Sequence, residues 1–124
     1  MKWETSMDDK LKKIINHYGV LPQLKYLQSE VFEFNEAILE FETLGKNDCF
    51  EEQYDFYKIK KEHITEEMAD VFVMLFQFKE HYQIDGNDIM RIMKEKIDRQ
   101  LKRIEEEKWF VNFVSKKLKL MHNI

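Results

Sequence analysis

The sequence predicts an all-α protein built around a four-helix core. Only three glycines and one proline occur in 124 residues, so turn-forming residues are too scarce for a β-sandwich or a β-barrel. Apolar residues recur at alternating spacings of three and four, the period of amphipathic helices. A chain of this length has room for one domain. We therefore expect a single helical domain over residues 1–124, with a core at about 6–107 and a C-terminal tail at 108–124.

The first two helices are bounded by recognisable start and stop residues. The first is predicted from about Ser6 to Tyr18, because Gly19 is a typical residue just after a helix C-terminus. The second is predicted to begin near Pro22, which suits the first position of a helix, and to end before Gly45.

Two further helices follow a long connection. Residues 46–60 are polar and aromatic without a clean period, so we expect a connection there that contains one short helix at most. The third helix is predicted from Thr65, a plausible N-cap, to about Tyr82. The fourth follows the turn "DGND". Beyond it, residues 108–124 are expected to form a short helix that packs back on the core. The fourth helix carries an apolar face of Ile89, Met93, Ile97, Leu101 and Ile104.

The third helix is apolar on nearly all sides. One stripe contains Ile64, Met68, Val71, Leu75, Phe78 and Tyr82, and Ala69, Phe72, Val73 and Phe76 cover most of the remaining circumference. A helix of this kind is buried on several sides, which is difficult within one small subunit. We therefore expect a homodimer or a homotetramer.

Charge and cysteine content restrict the partners. The net charge of −4 gives no general attraction to nucleic acid or to an anionic membrane. The longest apolar run, Val71 to Phe76, is too short to cross a bilayer. Cys49 is the one cysteine, which suits a reducing compartment, and the N-terminus has no apolar signal segment. We expect a cytoplasmic protein with neither nucleic acid nor membrane as a partner.

Four carboxylates are the strongest candidates for chemistry. Glu30 and Glu33 lie three residues apart on one flank of the second helix, and Glu67 and Asp70 lie likewise on the third. If the two helices pack side by side, the four carboxylates converge and repel one another unless a cation lies between them. An all-oxygen ligand set favours Mg²⁺ or Mn²⁺. Such pairs also occur by chance in acidic helical proteins, so solvated surface glutamates remain the alternative interpretation.

The fourth helix carries cations beside its apolar stripe. Lys96, Arg99 and Arg103 share this flank, and cations beside a carboxylate–metal centre are what a polyphosphate requires. A solvated basic face is the alternative. The E-x-x-H pairs of ferritin-like sites are missing. His63 and His81 fall on the flank of Glu67 and Asp70, but one lies at each end of the third helix, so they are interpreted as surface or capping histidines.

Two motifs resemble the MazG-like family of all-α nucleoside triphosphate pyrophosphohydrolases. "SEVFEFNEAI" is similar to the family pattern E-E-x-x-E-L-x-E-A-I, and "EEMADVFVMLFQF" is similar to E-E-x-A-D-hydrophobic. "EKIDRQLKRI" resembles the basic segment of the family's fourth helix. Ser29 and Phe32 depart from the pattern, where a first glutamate and a small residue are common.

The resemblance implies an oligomeric four-helix core that binds Mg²⁺ and hydrolyses a (d)NTP to (d)NMP and pyrophosphate, in nucleotide-pool housecleaning. Carried over by motif position, the metal ligands would be Glu30, Glu33, Glu67 and Asp70, and the phosphate-binding residues would be Lys96, Arg99 and Arg103. We expect Glu33 to act on the attacking water. Aromatic residues that could contact the base are Tyr54, Phe56, Tyr57 and Trp109. The alternative is a non-catalytic helical module that binds nucleotide or another protein.

Overall fold

The computed structural model describes residues 5–44 and 50–122, all in helices or the short segments that join them. The four helices are α1 (Thr5–Tyr18), α2 (Val20–Leu44), α3 (Phe50–His81) and α4 (Gly86–His122). The all-α prediction is therefore confirmed for the described residues. None of these helices combines the length and the apolar character needed to cross a bilayer.

The chain divides into two compact units, Met1–Ile84 and Asp85–Ile124. In the first unit, α3 packs against both α2 and α1. Its buried apolar side chains are Leu11, Ile15, Ala37 and Met74. The second unit is formed by α4, of which no described residue is buried. The expectation of a single domain stays a prediction.

Gly19 both ends α1 and starts α2. Its φ of +92° is in the left-handed region that favours glycine. The Gly19 N–H donates to the carbonyl oxygen of Ile15 at 2.8 Å, which is the single-bond form of the left-handed C-terminal cap. The Gly19 carbonyl then accepts the first bond of α2, from the Gln23 N–H at 3.2 Å. The second helix thus begins at Val20, slightly before the predicted start at Pro22.

The junction between α3 and α4 is set by two capping motifs. Gln83 has a φ of 53°, and the N–H groups of Gln83 and Ile84 donate to the carbonyls of Glu80 and Lys79. These two bonds form a Schellman motif. Asp85 then caps α4, because its Oδ1 accepts from the Asn87 N–H at 2.9 Å.

Three sequence-based expectations about α3 and α4 are wrong. Residues 50–60 are the first turns of α3 and not a connection, and residues 46–49 lie outside the described residues. Thr65 is inside α3 and is not an N-cap, because its hydroxyl donates to the Lys61 carbonyl at 2.8 Å. Residues 108–122 continue α4, which runs for 37 residues, and do not form a separate short helix. No glycine or proline interrupts the helix after Gly86.

Candidate metal centre and adjoining cavity

Two side-chain contacts fix the register between α2 and α3. The Gln23 Nε2 group donates to Gln77 Oε1 at 2.8 Å, and both side chains are buried. Towards the other end of α2, Lys60 Nζ donates to Glu40 Oε2 at 3.1 Å. From Gln23 to Glu40 the residue number rises along α2, whereas from Gln77 to Lys60, their partners, it falls along α3. The two helices are therefore antiparallel, and one register satisfies both contacts.

The same register brings the predicted carboxylates together, with Glu33 opposite Glu67 and Glu30 opposite Asp70. Among the described residues, Glu30, Glu33 and Glu67 each offer a carboxylate oxygen, and these oxygens lie within 4.8 Å of one another. Asp70, the fourth predicted ligand, is outside this group of three and is exposed. We call Glu30, Glu33 and Glu67 the carboxylate triad.

Two of the three glutamates of the triad are largely buried, which is unusual for surface glutamates. Glu30 is only 6% exposed, and the Glu67 side chain is 14% exposed. Glu30 Oε2 and Glu67 Oε2 are buried and have no hydrogen-bond partner among the described residues. A buried carboxylate oxygen without a donor is unfavourable, and a hard divalent cation is the partner that a group of such oxygens suits.

The pKa of the Glu30 carboxyl is raised, first because burial disfavours its charged form and next because Glu33 is negatively charged nearby. A hydrogen bond with the Tyr26 side chain acts in the opposite direction. The pKa of the Tyr26 phenol is in turn raised, mainly by the charge of Glu30. Repulsion and desolvation at Glu30 are both effects that a bound cation would relieve.

The pKa of the Glu67 carboxyl is also raised, first by burial and then by the charges of Glu33 and Asp70. His63 acts in the opposite direction, with its Nδ1 3.9 Å from Glu67 Oε1. His63 therefore lies beside the triad.

A cavity of about 570 Å³ adjoins the triad within the first unit. This volume lies within the roughly 300–1,000 Å³ range of small-molecule sites. Its lining combines Tyr18, Tyr26, Pro22, Ile14 and Val73 with Gln23, Gln77, Met74, Glu30 and Asp70. The lining therefore combines apolar and aromatic side chains with two carboxylates and a hydrogen-bonded pair of amides.

Sequence reasoning missed Gln23, Tyr26 and Gln77 as candidate site residues. A usable signal was present in their spacing. Gln23 and Tyr26 precede Glu30 by seven and four residues, and Gln77 follows Asp70 by seven. These spacings place them on the same helix flanks as the carboxylates.

The predicted phosphate-binding residues Lys96, Arg99 and Arg103 lie on α4, in the second unit, and are exposed. Their role stays a prediction. Among the aromatic candidates for base contact, Tyr57 packs on Phe41 with ring centroids 5.4 Å apart, and Trp109 stacks on Phe113 at 5.4 Å. The side chains of residues 51–54 are outside the described part of the chain, so the predicted base contact of Tyr54 stays a prediction.

Comparisons of the chain with protein-family models, with curated proteins and with solved structures gave no match.

Proposed function

We propose that the protein is a Mg²⁺-dependent nucleotide pyrophosphohydrolase, which converts a (d)NTP to (d)NMP and pyrophosphate in nucleotide-pool housecleaning in the cytoplasm. The observation that carries the proposal is the carboxylate triad, in which three acidic side chains converge and two of their buried oxygens lack a donor. The arrangement is unfavourable without a cation and becomes favourable with one.

The carboxylate oxygens of the triad are suitable ligands for a hard divalent metal ion. Glu30, Glu33 and Glu67 would hold the ion through carboxylate oxygens, and Asp70 lies on the adjoining cavity as the fourth predicted ligand. This oxygen-only set suits Mg²⁺, with Mn²⁺ as a substitute. A bound ion supplies charge neutralisation at the phosphoryl group and a lowered pKa for bound water.

The adjoining cavity supports a nucleotide as the ligand. Tyr18 and Tyr26 offer aromatic surface for a base, and the Gln23–Gln77 pair offers amide donors and acceptors. Glu30 and Asp70 line the same cavity. A ligand with an aromatic ring in the cavity would therefore carry its phosphates towards the triad.

The reaction assigns a different task to each group. The oxygen of a water molecule attacks the α-phosphorus, the bond from that phosphorus to the bridging oxygen breaks, and pyrophosphate leaves. Glu33 accepts the proton of the attacking water, because it is the exposed member of the triad. Lys96, Arg99 and Arg103, on α4, are the residues that the sequence predicts to bind the phosphates. Positioning and electrostatics do most of the work in reactions of this class.

Product analysis tests the proposal. The protein would be incubated with each of the eight common (d)NTPs and Mg²⁺, and the products would be separated by ion-exchange chromatography. We expect monophosphate and pyrophosphate from the wild type, no turnover by Glu67→Gln, and full turnover by the control Glu66→Gln, which changes the exposed neighbour of Glu67. Absence of turnover with both Mg²⁺ and Mn²⁺ would reject the enzyme in favour of a non-catalytic nucleotide-binding or protein-interaction module.

A further inference from the structure

The C-terminal half of α4 has a large exposed apolar surface. No described residue of α4 is buried. Between residues 109 and 121, the exposed fraction of the large apolar side chains runs from 37% to 70%. We call this surface the α4 apolar face. It consists of Trp109, Phe110, Val111, Phe113, Val114, Leu118, Leu120 and Met121.

These residues share one side of the helix. At about 100° per residue, they occupy an arc of roughly 200°. The opposite side carries Lys108, Asn112, Ser115 and Lys119. Glu106 precedes the α4 apolar face by three residues, and Lys117 lies towards the C-terminal end of the face. Since eleven residues make about three turns, Glu106 and Lys117 point in nearly the same direction.

Neither of these two charges has an ion-pair partner among the described residues of a single chain. The ion pair seen in this segment joins Lys108 to Glu105 at 3.8 Å. Lys117 Nζ instead lies 5.6 Å from the centroid of the Phe113 ring. The Glu106 carboxylate and the Lys117 ammonium group, with apolar residues between them, are therefore both available to a partner.

We propose that two copies of the chain associate through the α4 apolar face, with the two α4 helices antiparallel and crossing between Val111 and Asn112. Two-fold symmetry then brings Glu106 of each copy opposite Lys117 of the second copy, so that both ion pairs form at once. In a parallel pair, Glu106 would face Glu106 and Lys117 would face Lys117. The charge pattern therefore selects the antiparallel arrangement.

The exposed area is sufficient for a dimer. An aromatic side chain buries about 150–250 Å² when it is fully covered. Trp109, Phe110 and Phe113 are 45–66% exposed, so together they leave roughly 300 Å² per copy to be covered. The five aliphatic residues of the face add to this area, and roughly 500 Å² per partner is enough to reach the ~1,000 Å² in total that a specific interface needs.

A second copy also fits better than an anionic lipid surface. Interfacial membrane helices place basic residues beside their apolar face, as Lys108 and Lys119 do here, but Glu106 lies just before the α4 apolar face and in line with it. A lipid surface would repel this carboxylate, and a second copy would pair it. The proposal does not depend on the proposed enzymatic activity.

Charge reversal tests the interface in the full chain. The dimer dissociation constant would be measured by sedimentation equilibrium for the wild type, Glu106→Lys, Lys117→Glu and the double variant Glu106→Lys/Lys117→Glu. Each single variant should weaken the dimer by at least about tenfold, because both symmetric pairs become repulsive. The double variant should restore wild-type affinity. The control Lys119→Glu makes the same charge change on the opposite side of α4 and should leave affinity unchanged.

Three results would overturn the proposal. A wild type that remains monomeric at micromolar concentration would show that the face does not associate with itself. Single variants as tight as the wild type would exclude the Glu106–Lys117 pairs. Failure of the double variant to recover, with helix content unchanged by circular dichroism, would show that the two residues do not face each other.

Discussion

Replacing Glu30 with glutamine should stabilise the metal-free protein and remove its response to divalent cations. Glu30 is 6% exposed and its Oε2 atom has no hydrogen-bond partner among the described residues. An unpartnered buried polar atom costs about 1–3 kcal/mol, and more when it is charged. Glutamine keeps the length of the side chain, removes the charge and offers an amide to the carboxylates of Glu33 and Glu67. We therefore expect the free energy of unfolding to rise by about 1–2 kcal/mol in EDTA.

Thermal unfolding followed by circular dichroism measures this change. For a chain of this size, roughly 3–6 °C in Tm corresponds to each kcal/mol. Adding Mg²⁺ at a hundred times its Kd should stabilise the wild type by about 2.7 kcal/mol and should have little effect on Glu30→Gln. The matched control is Glu36→Gln, an exposed glutamate on the same helix, which should behave as the wild type does. A Glu30→Gln variant that is less stable in EDTA, or that keeps the full response to Mg²⁺, would refute the reasoning.

Three further predictions concern pH, the amide pair and the core. Because Glu30 and Glu67 have raised pKa values in the folded state, the folded state binds protons more tightly than the unfolded state. The metal-free protein should therefore gain stability as pH falls through those raised values, and the gain should vanish in Glu30→Gln/Glu67→Gln. Gln77→Leu should cost about 1–3 kcal/mol because it leaves the buried Gln23 amide without its acceptor, whereas the double variant Gln23→Leu/Gln77→Leu should cost less. Ile15→Ala, at a side chain 1% exposed, should cost about 2–5 kcal/mol in urea unfolding.

Each of these predictions has a contrary result. A pH dependence that is identical in the wild type and the carboxylate double variant would show that the triad does not titrate in the expected direction. Additive losses in the Gln23 and Gln77 cycle would mean that the two amides do not interact. The neighbouring substitution Ile14→Ala, at a side chain 37% exposed, is the control for Ile15→Ala, and an equal loss at both positions would contradict the assignment of the core.

The parts of the fold that the sequence predicted are those set by local rules. Gly19 adopts the left-handed conformation that only glycine accepts readily, so the end of α1 was predictable from one residue. The i, i+3 spacing fixes a common flank for Glu30 and Glu33, whatever the rest of the chain does. The convergence of Glu67 with them was expected from the same rule, together with the assumption that α2 and α3 are neighbours.

The errors arose where local rules allow more than one outcome. A threonine hydroxyl either caps a helix or bonds back to a carbonyl within one, and Thr65 does the latter towards Lys61. The first turns of α3 have no clear apolar period in the sequence. They are held against α2 by individual contacts, such as Tyr57 on Phe41 and Lys60 on Glu40. Such contacts depend on the interhelical register, which spacing within one helix does not specify.

Direct measurement of Mn²⁺ binding is the closest test of the central claim that the carboxylate triad holds a divalent cation. Free Mn²⁺ would be followed by electron paramagnetic resonance during titration of the nucleotide-free wild type, Glu67→Gln and the control Glu66→Gln. The account predicts saturable Mn²⁺ uptake by the wild type and the control, displacement by Mg²⁺, and loss of this uptake in Glu67→Gln. Equal binding by the wild type and Glu67→Gln, or no saturable uptake by the wild type, would contradict it.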